Sequence, residues 1–325
     1  MPQDPISPPA KDCLDGRHLI TGGAGFIGSH LAEAILAQGG RVRVFDNLSS
    51  GHLENLAPFR DRIEFVQGDL RHPAKLAAAM QGVRYVYHEA ALVSVFDSVA
   101  RPQDNHEINI TGTFNLLQAA RAAGVQRVLF ASTAAAYGNN PALPKRETML
   151  PEPESPYAVA KLTGEHYLRI FHSLYGLETV SLRYFNVYGP RQDPRSPYSG
   201  VISKFADALA TGQPPTIFGD GAQTRDFVFV QDVVQANLLA MHSPNVGHGE
   251  VFNVGTGQPT SLLELLAALG DAFGANPTPN FQPARPGDIR HSLADITRIR
   301  ATLAFEPRHS LHAGLQALAA ASPRR

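Results

Sequence analysis

Residues 21–30 read TGGAGFIGSH, and the fold turns on what that stretch does. It follows the strand-like run RHLIT and opens the helical run FIGSHLAEAILAQG. The glycines therefore sit where a strand turns into a helix. Gly22, Gly25 and Gly28 let the backbone turn tightly and approach a ligand, and the helix start behind them offers N–H groups to an anion. About 20 residues on, Asp46 closes the next strand-like run, RVRVFD. A carboxylate there accepts from an adenosine ribose 2′-hydroxyl and repels a 2′-phosphate, which points to NAD rather than NADP. The strand–turn–helix context and the spacing of the acid make this more specific than three glycines alone.

Outward from the loop, the same alternation continues. RIEFVQGD, YVYHEAA, RVLFAST and ETVSLRYFNVYG read as strands, and AKLAAAM, EINITGTFNLLQAARAAG and SPYAVAKLTGEHYLRIFHSLYG read as helices between them. Strands separated by helices imply parallel pairing through right-handed crossovers, so the expected fold is α/β, a doubly wound parallel sheet of Rossmann type. After Asn186 the pattern loosens into a smaller, interleaved C-terminal lobe. The expected division is a tail over 1–15 and an NAD-binding domain over 16–183, to which 226–254 returns. A substrate lobe is expected over 184–225 and 255–325.

The bulk numbers narrow the function classes. The 325 residues are 43% hydrophobic and 18% charged, with a formal net charge of −1. No long Lys/Arg run is present, which argues against nucleic acid or a membrane surface as partner. No apolar stretch approaches the roughly 20 residues of a membrane span. Cys13 is the single cysteine. With no signal-peptide pattern, it suggests a reducing, cytoplasmic setting. Thirteen histidines are scattered without ligand spacing, so no metal is expected.

Chemistry gathers at two places. RVLFAST ends on Ser132 and Thr133, and SPYAVAK places Tyr157 and Lys161 four residues apart on one helix face. A tyrosine is a poor base at its usual pKa near 10, and an adjacent ammonium favours its phenolate. Such a pair moves a proton to or from a sugar hydroxyl while a nicotinamide exchanges hydride with the same carbon.

The glycine loop, the hydroxyl ending RVLFAST and the YAVAK motif resemble the extended short-chain dehydrogenase/reductases. RYFNVYGPRQDP, GDGAQTRDFVFVQD and FNVGTG resemble their nucleotide-sugar epimerase and dehydratase branch. The resemblance covers nearly the whole chain after the tail. It implies that Thr133 hydrogen-bonds the sugar O4, that Tyr157 is the acid/base, and that Lys161 holds the nicotinamide ribose and lowers the tyrosine pKa. Phe26 and Ile27 would lie under the pyrophosphate, and Ser132 would line the cofactor. Asn47, Asp69, Leu70, Ala90, Ala91, Asn109 and Phe185 match further cofactor positions. Asn186, Arg225 and Arg285 match diphosphate-binding positions, and Asp288 a ribose-binding acid. Val93, Ser94, Phe96, Val201 and Phe218 match the substrate pocket. Ser292 stands where a small residue in the family admits 2-acetamido sugars. The resemblance also implies a homodimer.

Ala134 and Ala135 follow Thr133. In the family's 4,6-dehydratases an Asp–Glu pair stands there. Alanine transfers no proton, so 4,6-dehydration loses its acid and base. Oxidation at C4 and its reversal, a 4-epimerisation of a UDP-hexose, needs only the hydroxyl, the tyrosine and NAD. A UDP-glucuronate 4-epimerase or decarboxylase, using Arg191 and Arg195 for the carboxylate, is the alternative. A reductase that releases its cofactor and an inactive NAD-binding regulator are the others.

Overall fold

The structure is a computed structural model and describes residues 16–193, 200–284 and 289–322. Arg195, Arg285 and Asp288 lie outside the described residues. The first half alternates as the sequence suggests: β1 (Arg17–Thr21), α1 (Phe26–Ala37), β2 (Arg41–Asp46), β3 (Ile63–Gln67), α2 (Pro73–Ala79) and β4 (Val83–His88). Two short helices, α3 (Val95–Ala100) and α4 (Pro102–Asn105), lead through a π turn at His106–Thr111 into α5 (Gly112–Ala122). Then come β5 (Arg127–Thr133), α6 (Pro156–Tyr175) and β6 (Glu178–Tyr184).

The helix ends follow local chemistry. Ser155 caps α6 by accepting from the Ala158 N–H at 3.2 Å, Pro156 takes the first helical position, and Gly176 ends the helix at φ 71°. These signals place Tyr157 in the first turn of α6 and Lys161 one turn later.

The second half is irregular: β7 (Asn186–Tyr188), α7 (Val201–Ala210), β8 (Thr216–Phe218), β9 (Thr224–Arg225), β10 (Phe227–Phe229), α8 (Val230–His242) and β11 (His248–Val254). It ends in β12 (Thr260–Ser261), α9 (Leu262–Phe273), β13 (Asn280–Gln282), α10 (Thr297–Leu303) and α11 (Leu311–Ala321).

Seven strands form the central sheet in the order β3-β2-β1-β4-β5-β6-β11, and every neighbouring pair is parallel. This is the doubly wound α/β sheet the alternation implies. The chain reverses its direction of travel across the sheet between β1 and β4, which opens a crevice at their carboxyl ends. One core packs α1, α8 and α10 on one face, with Leu31, Ile35, Val233 and Ile299 at its centre. A second packs α2, α5 and α6 on the other, through Leu76, Leu116, Leu117 and Leu168. Each such fully buried aliphatic side chain contributes about 1.5–3 kcal/mol. A third core lies in the lobe, among Phe205, Ile217, Leu265 and Leu315. There β7 pairs with β10, β8 with β13 and β9 with β12 in two-stranded ribbons. The run FVFV thus pairs with β7, while β11 is the strand that hydrogen-bonds β6 in the main sheet.

Two histidines inside this sheet make stability pH-dependent. His88 is fully buried, with one ring nitrogen 2.8 Å from the Thr21 hydroxyl and the other 3.0 Å from that of Thr113. His18 is buried between Tyr85 and Tyr87, at ring distances of 5.1 and 6.1 Å. Burial pushes both imidazoles down to about 3. The folded state then takes up no proton on them while the unfolded chain does so below its ordinary 6.5, so their contribution falls as pH drops from about 6.5 toward 3. A ring that cannot titrate removes this term. His18→Phe should narrow the stability difference between pH 7.5 and pH 5 by about 2 kcal/mol relative to wild type, measured by urea unfolding at both pH values.

Candidate active site

The glycine loop is shaped as a cradle. Gly22 sits at φ 68°, and a Cβ there would stand 2.7 Å from the Ala90 nitrogen. A Cβ on Gly28 would stand 2.4 Å from the Gly22 carbonyl oxygen, so α1 can lie against the loop only with glycine at that position. Gly25 is the N-cap of α1 and brings no side chain to the helix start. The first-turn N–H groups at Phe26 and Ile27 have no acceptor within the helix, which makes this end an anion site. Asp46 is buried at the end of β2 and accepts from the Ala24 N–H at 3.0 Å and the Leu48 N–H at 2.8 Å. These bonds fix its carboxyl beside the loop, although burial raises it above the ordinary carboxylate range. A close-approach loop, a helix start and an acid fixed beside the loop at the end of β2 fit an NAD dinucleotide.

The neighbouring residues hold the rest of the crevice. Asn47 donates to Asp69 at 2.9 Å. Arg71 grips Asp69 with two side-chain bonds of 3.0 and 2.8 Å and holds its carboxyl well below the ordinary range. The Leu70 side chain packs on Gly112 at the start of α5. Beyond β4, the Ala90 N–H reaches the Thr21 hydroxyl at 3.3 Å, and Ala91 follows it. Asn109 ties down the next residue, accepting from the Leu92 N–H at 2.9 Å and donating to its carbonyl at 3.0 Å. Its amide therefore fixes the segment on which Ala90 and Ala91 lie. Phe185, just past β6, is buried and bonds the Val254 carbonyl through its N–H at 3.0 Å.

Thr133, Tyr157 and Lys161 come together at the carboxyl end of β5. The Thr133 hydroxyl oxygen accepts from the Ala135 N–H at 3.1 Å, which leaves its proton free to point at a second oxygen. It lies by the Tyr157 phenol, and its influence there favours the phenolate. Burial acts more strongly the other way and pushes the phenol up to about 12. Lys161 is buried, donates to the Ala131 carbonyl at 2.7 Å, and lies 4.7 Å above the Phe130 ring. Burial lowers its ammonium to about 8. Ser132 turns the other way. Its hydroxyl donates to Glu165, which Arg183 holds with two bonds of 2.8 and 2.7 Å. The Ser132 hydroxyl is thus committed inside the sheet, and the backbone is what this residue offers a cofactor.

Across the crevice, Asn186 bonds the Asp226 carbonyl through its N–H at 3.0 Å. The Arg225 guanidinium bonds the Thr224 carbonyl at 2.9 Å. The Ser292 N–H bonds that same carbonyl at 3.1 Å, so Ser292 and Arg225 are brought side by side. Phe218 ends β8 and Val201 opens α7. Ser94 is buried and caps α3 by accepting from the Asp97 N–H at 2.8 Å, while Val93 and Phe96 beside it are strongly exposed. Glu89, between β4 and Ala90, is a residue the sequence pattern did not single out. Its carboxylate accepts from the Tyr184 hydroxyl at 3.0 Å. The only local signal was an acid in an otherwise apolar strand end. Among the described residues no group of three His, Cys, Asp or Glu side chains is arranged to hold a metal. None of the described helices is long and apolar enough to cross a membrane.

Comparison with known proteins agrees with this geometry. The chain is 44% identical over 304 residues to a UDP-glucose 4-epimerase of Mycolicibacterium smegmatis, covering 92% of this chain and 96% of the relative. Among solved structures it matches a UDP-N-acetylglucosamine 4-epimerase from Methanobrevibacter ruminantium M1, in complex with UDP-N-acetylmuramic acid. There the TM-score is 0.90 at 39% identity, over 94% of this chain and 98% of that one. It also matches the UDP-glucose 4-epimerase of Thermus thermophilus in complex with NAD, with a TM-score of 0.86 at 40% identity, again over 94% and 98%. The sequence model of the NAD dependent epimerase/dehydratase family matches residues 18–255. With the glycine cradle, the buried acid closing β2 and the tyrosine–lysine pair in place, the chain belongs to the NAD dependent epimerase/dehydratase family.

Proposed function

We propose that the protein is a 4-epimerase of UDP-hexoses, favouring UDP-GlcNAc and UDP-GalNAc and also taking UDP-Glc and UDP-Gal. The observation that carries this is the end of β5: Thr133 faces Tyr157, Lys161 stands behind, and Ala134 and Ala135 fill the next turn with no acid or base. Bound NAD supplies the hydride acceptor and donor for C4. Tyr157 as phenolate takes the O4 proton, and the free proton of the Thr133 hydroxyl orients that oxygen. Lys161 keeps the phenolate in reach by its charge. Asn186, Arg225 and Arg285 hold the diphosphate while the 4-keto sugar turns over, since guanidinium forks suit its oxygens. Tyr157 then returns the proton to O4, the turned sugar presenting the opposite face of C4 for hydride return. The substrate preference rests on Ser292, whose small side chain beside Arg225 leaves space for an acetamido group. Arg191, the one of the two candidates for a glucuronate carboxylate that is described, is paired with Glu33 on α1, which favours a neutral sugar.

The test is direct. Purified protein without added NAD is incubated separately with UDP-GlcNAc, UDP-Glc and UDP-glucuronate, and the products are read by proton NMR. GalNAc and Gal signals, with GalNAc ahead, are expected. Conversion of UDP-glucuronate alone would sink the reading, and no turnover of any sugar would favour a regulator.

We further propose a homodimer through α5 and α6. Val159, Ile170 and Leu174 are exposed along one stripe of α6, beside the half-exposed Phe114 of α5. Sedimentation should find a dimer, and Leu174→Glu should yield monomer.

A further inference from the structure

Glu89 is a titratable group inside the crevice that the proposed mechanism leaves unused. It stands at the carboxyl end of β4, where its N–H bonds the Thr21 carbonyl at 3.2 Å. Its carboxyl accepts from the Tyr184 hydroxyl at 3.0 Å, and Tyr184 also lies 3.0 Å from the Asn237 side-chain oxygen of α8. Tyr184 pairs in register with Thr133 across β5 and β6. The Glu89 carboxyl is therefore anchored beside the strand end that carries the reacting groups. The register of His88 with Phe130 sets Glu89 beside Ala131, whose carbonyl holds the Lys161 ammonium. We propose that Glu89 is a positioning residue of the acid/base pair: held by Tyr184, it sets a negative charge beside Lys161 and keeps it an ammonium. The proposal rests on the reading of Tyr157 and Lys161 as that pair.

The electrostatics run in one direction. From α6, Glu89 faces Lys161 and Tyr157, and its charge favours the protonated form of each. From β6 it faces Tyr184, whose hydroxyl stabilises the carboxylate. His88, next in the chain, is neutral in its buried site between Thr21 and Thr113. Burial raises Glu89 to about 7, with Lys161 drawing it back down. Burial draws Lys161 toward its uncharged form, and a carboxylate beside it acts against that loss. A lysine meant to support a phenolate is useful only while charged, and a buried one needs a counter-charge to stay so.

The test uses Glu89→Gln, which keeps the side-chain shape and an acceptor for Tyr184. The full protein, with its NAD, carries [13Cε]lysine, and its five lysines are followed by carbon NMR across pH 6–11, with Lys161→Met assigning the resonance. The Lys161 midpoint should fall by about one pH unit or more in Glu89→Gln. Tyr184→Phe, which loosens the anchor, should move it the same way by less. The pH–rate profile should move to lower pH as a whole. An unmoved Lys161 midpoint in Glu89→Gln overturns the proposal, as does a profile that loses height without shifting. Because the lysine titration needs no turnover, its failure is distinguishable from failure of the epimerase reading.

Discussion

Tyr157→Phe should lower kcat for the interconversion of the UDP-sugars by about 10²–10⁴-fold while leaving the bound NAD and the affinity for the UDP-sugar nearly unchanged. The expectation follows from what the ring loses. Phenylalanine fills the same space in the first turn of α6, and the Ser155 cap and Pro156 that place it are untouched. Only the phenolic oxygen disappears, and with it the group that takes the proton from O4. Ala134 and Ala135 carry no titratable atom to replace it, Lys161 is bonded to the Ala131 carbonyl, and Glu89 is held by Tyr184. Thr133→Val should cost less, because it removes an orienting hydrogen bond and not the base. The check is steady-state turnover by NMR alongside calorimetric binding of UDP-GlcNAc. Turnover of Tyr157→Phe within tenfold of wild type would remove Tyr157 from the mechanism.

Arg183→Met should lower the unfolding free energy by about 3–5 kcal/mol, measured from urea midpoints at pH 7.5. Arg183 and Glu165 are both only 4% exposed at their side chains, and two bonds of 2.8 and 2.7 Å join them. The guanidinium also lies 4.7 Å above the Tyr137 ring. Methionine would leave the Glu165 carboxylate buried with the Ser132 hydroxyl as its remaining side-chain partner. The loss is the cost of an uncompensated buried charge and not the net value of the pair. The double replacement Glu165→Leu with Arg183→Leu should therefore recover most of the stability. If the double variant is as unstable as Arg183→Met, the pair stabilises the fold in its own right. Ser132 and Glu165 also tie β5 to α6, the two elements that carry Thr133 and Lys161, so turnover should fall further in the double variant, which loses that tie, than in Arg183→Met.

Much of this arrangement was legible in the sequence where the information is local. Strand and helix periods, the glycine turn and the Ser155–Pro156 helix start lie within a few residues of one another, and they located the parallel sheet. The cradle around Gly22 and Gly28 was readable because only glycine fits such approaches. What stayed hidden depends on partners distant in the chain. Glu89 meets Tyr184, 95 positions on, and Arg183 on β6 meets Glu165 on α6. No periodicity marks such pairs. The resemblance implies Ser132 beside the cofactor, and nothing local in the sequence marks where its hydroxyl goes: successive strand residues face opposite sides of a sheet, and it donates to Glu165. The ribbons of the lobe are two or three residues wide, too short to leave an alternating pattern.

The path of the chain between β6 and β11 has a practical consequence for anyone who would cut or exchange the parts of this molecule. The polypeptide leaves the main sheet after Tyr184, builds β7 to β10, returns as α8 and β11, and departs again for the rest of the lobe. A single cleavage never separates the two bodies. Terminating the chain before β11 would strip the sheet of its last strand and bare the edge of β6. Transplanting specificity from a relative would require grafting two separate segments at once, each spliced at both ends of the intervening stretch. Substrate preference in such a chain is easier to alter one side chain at a time than by swapping modules.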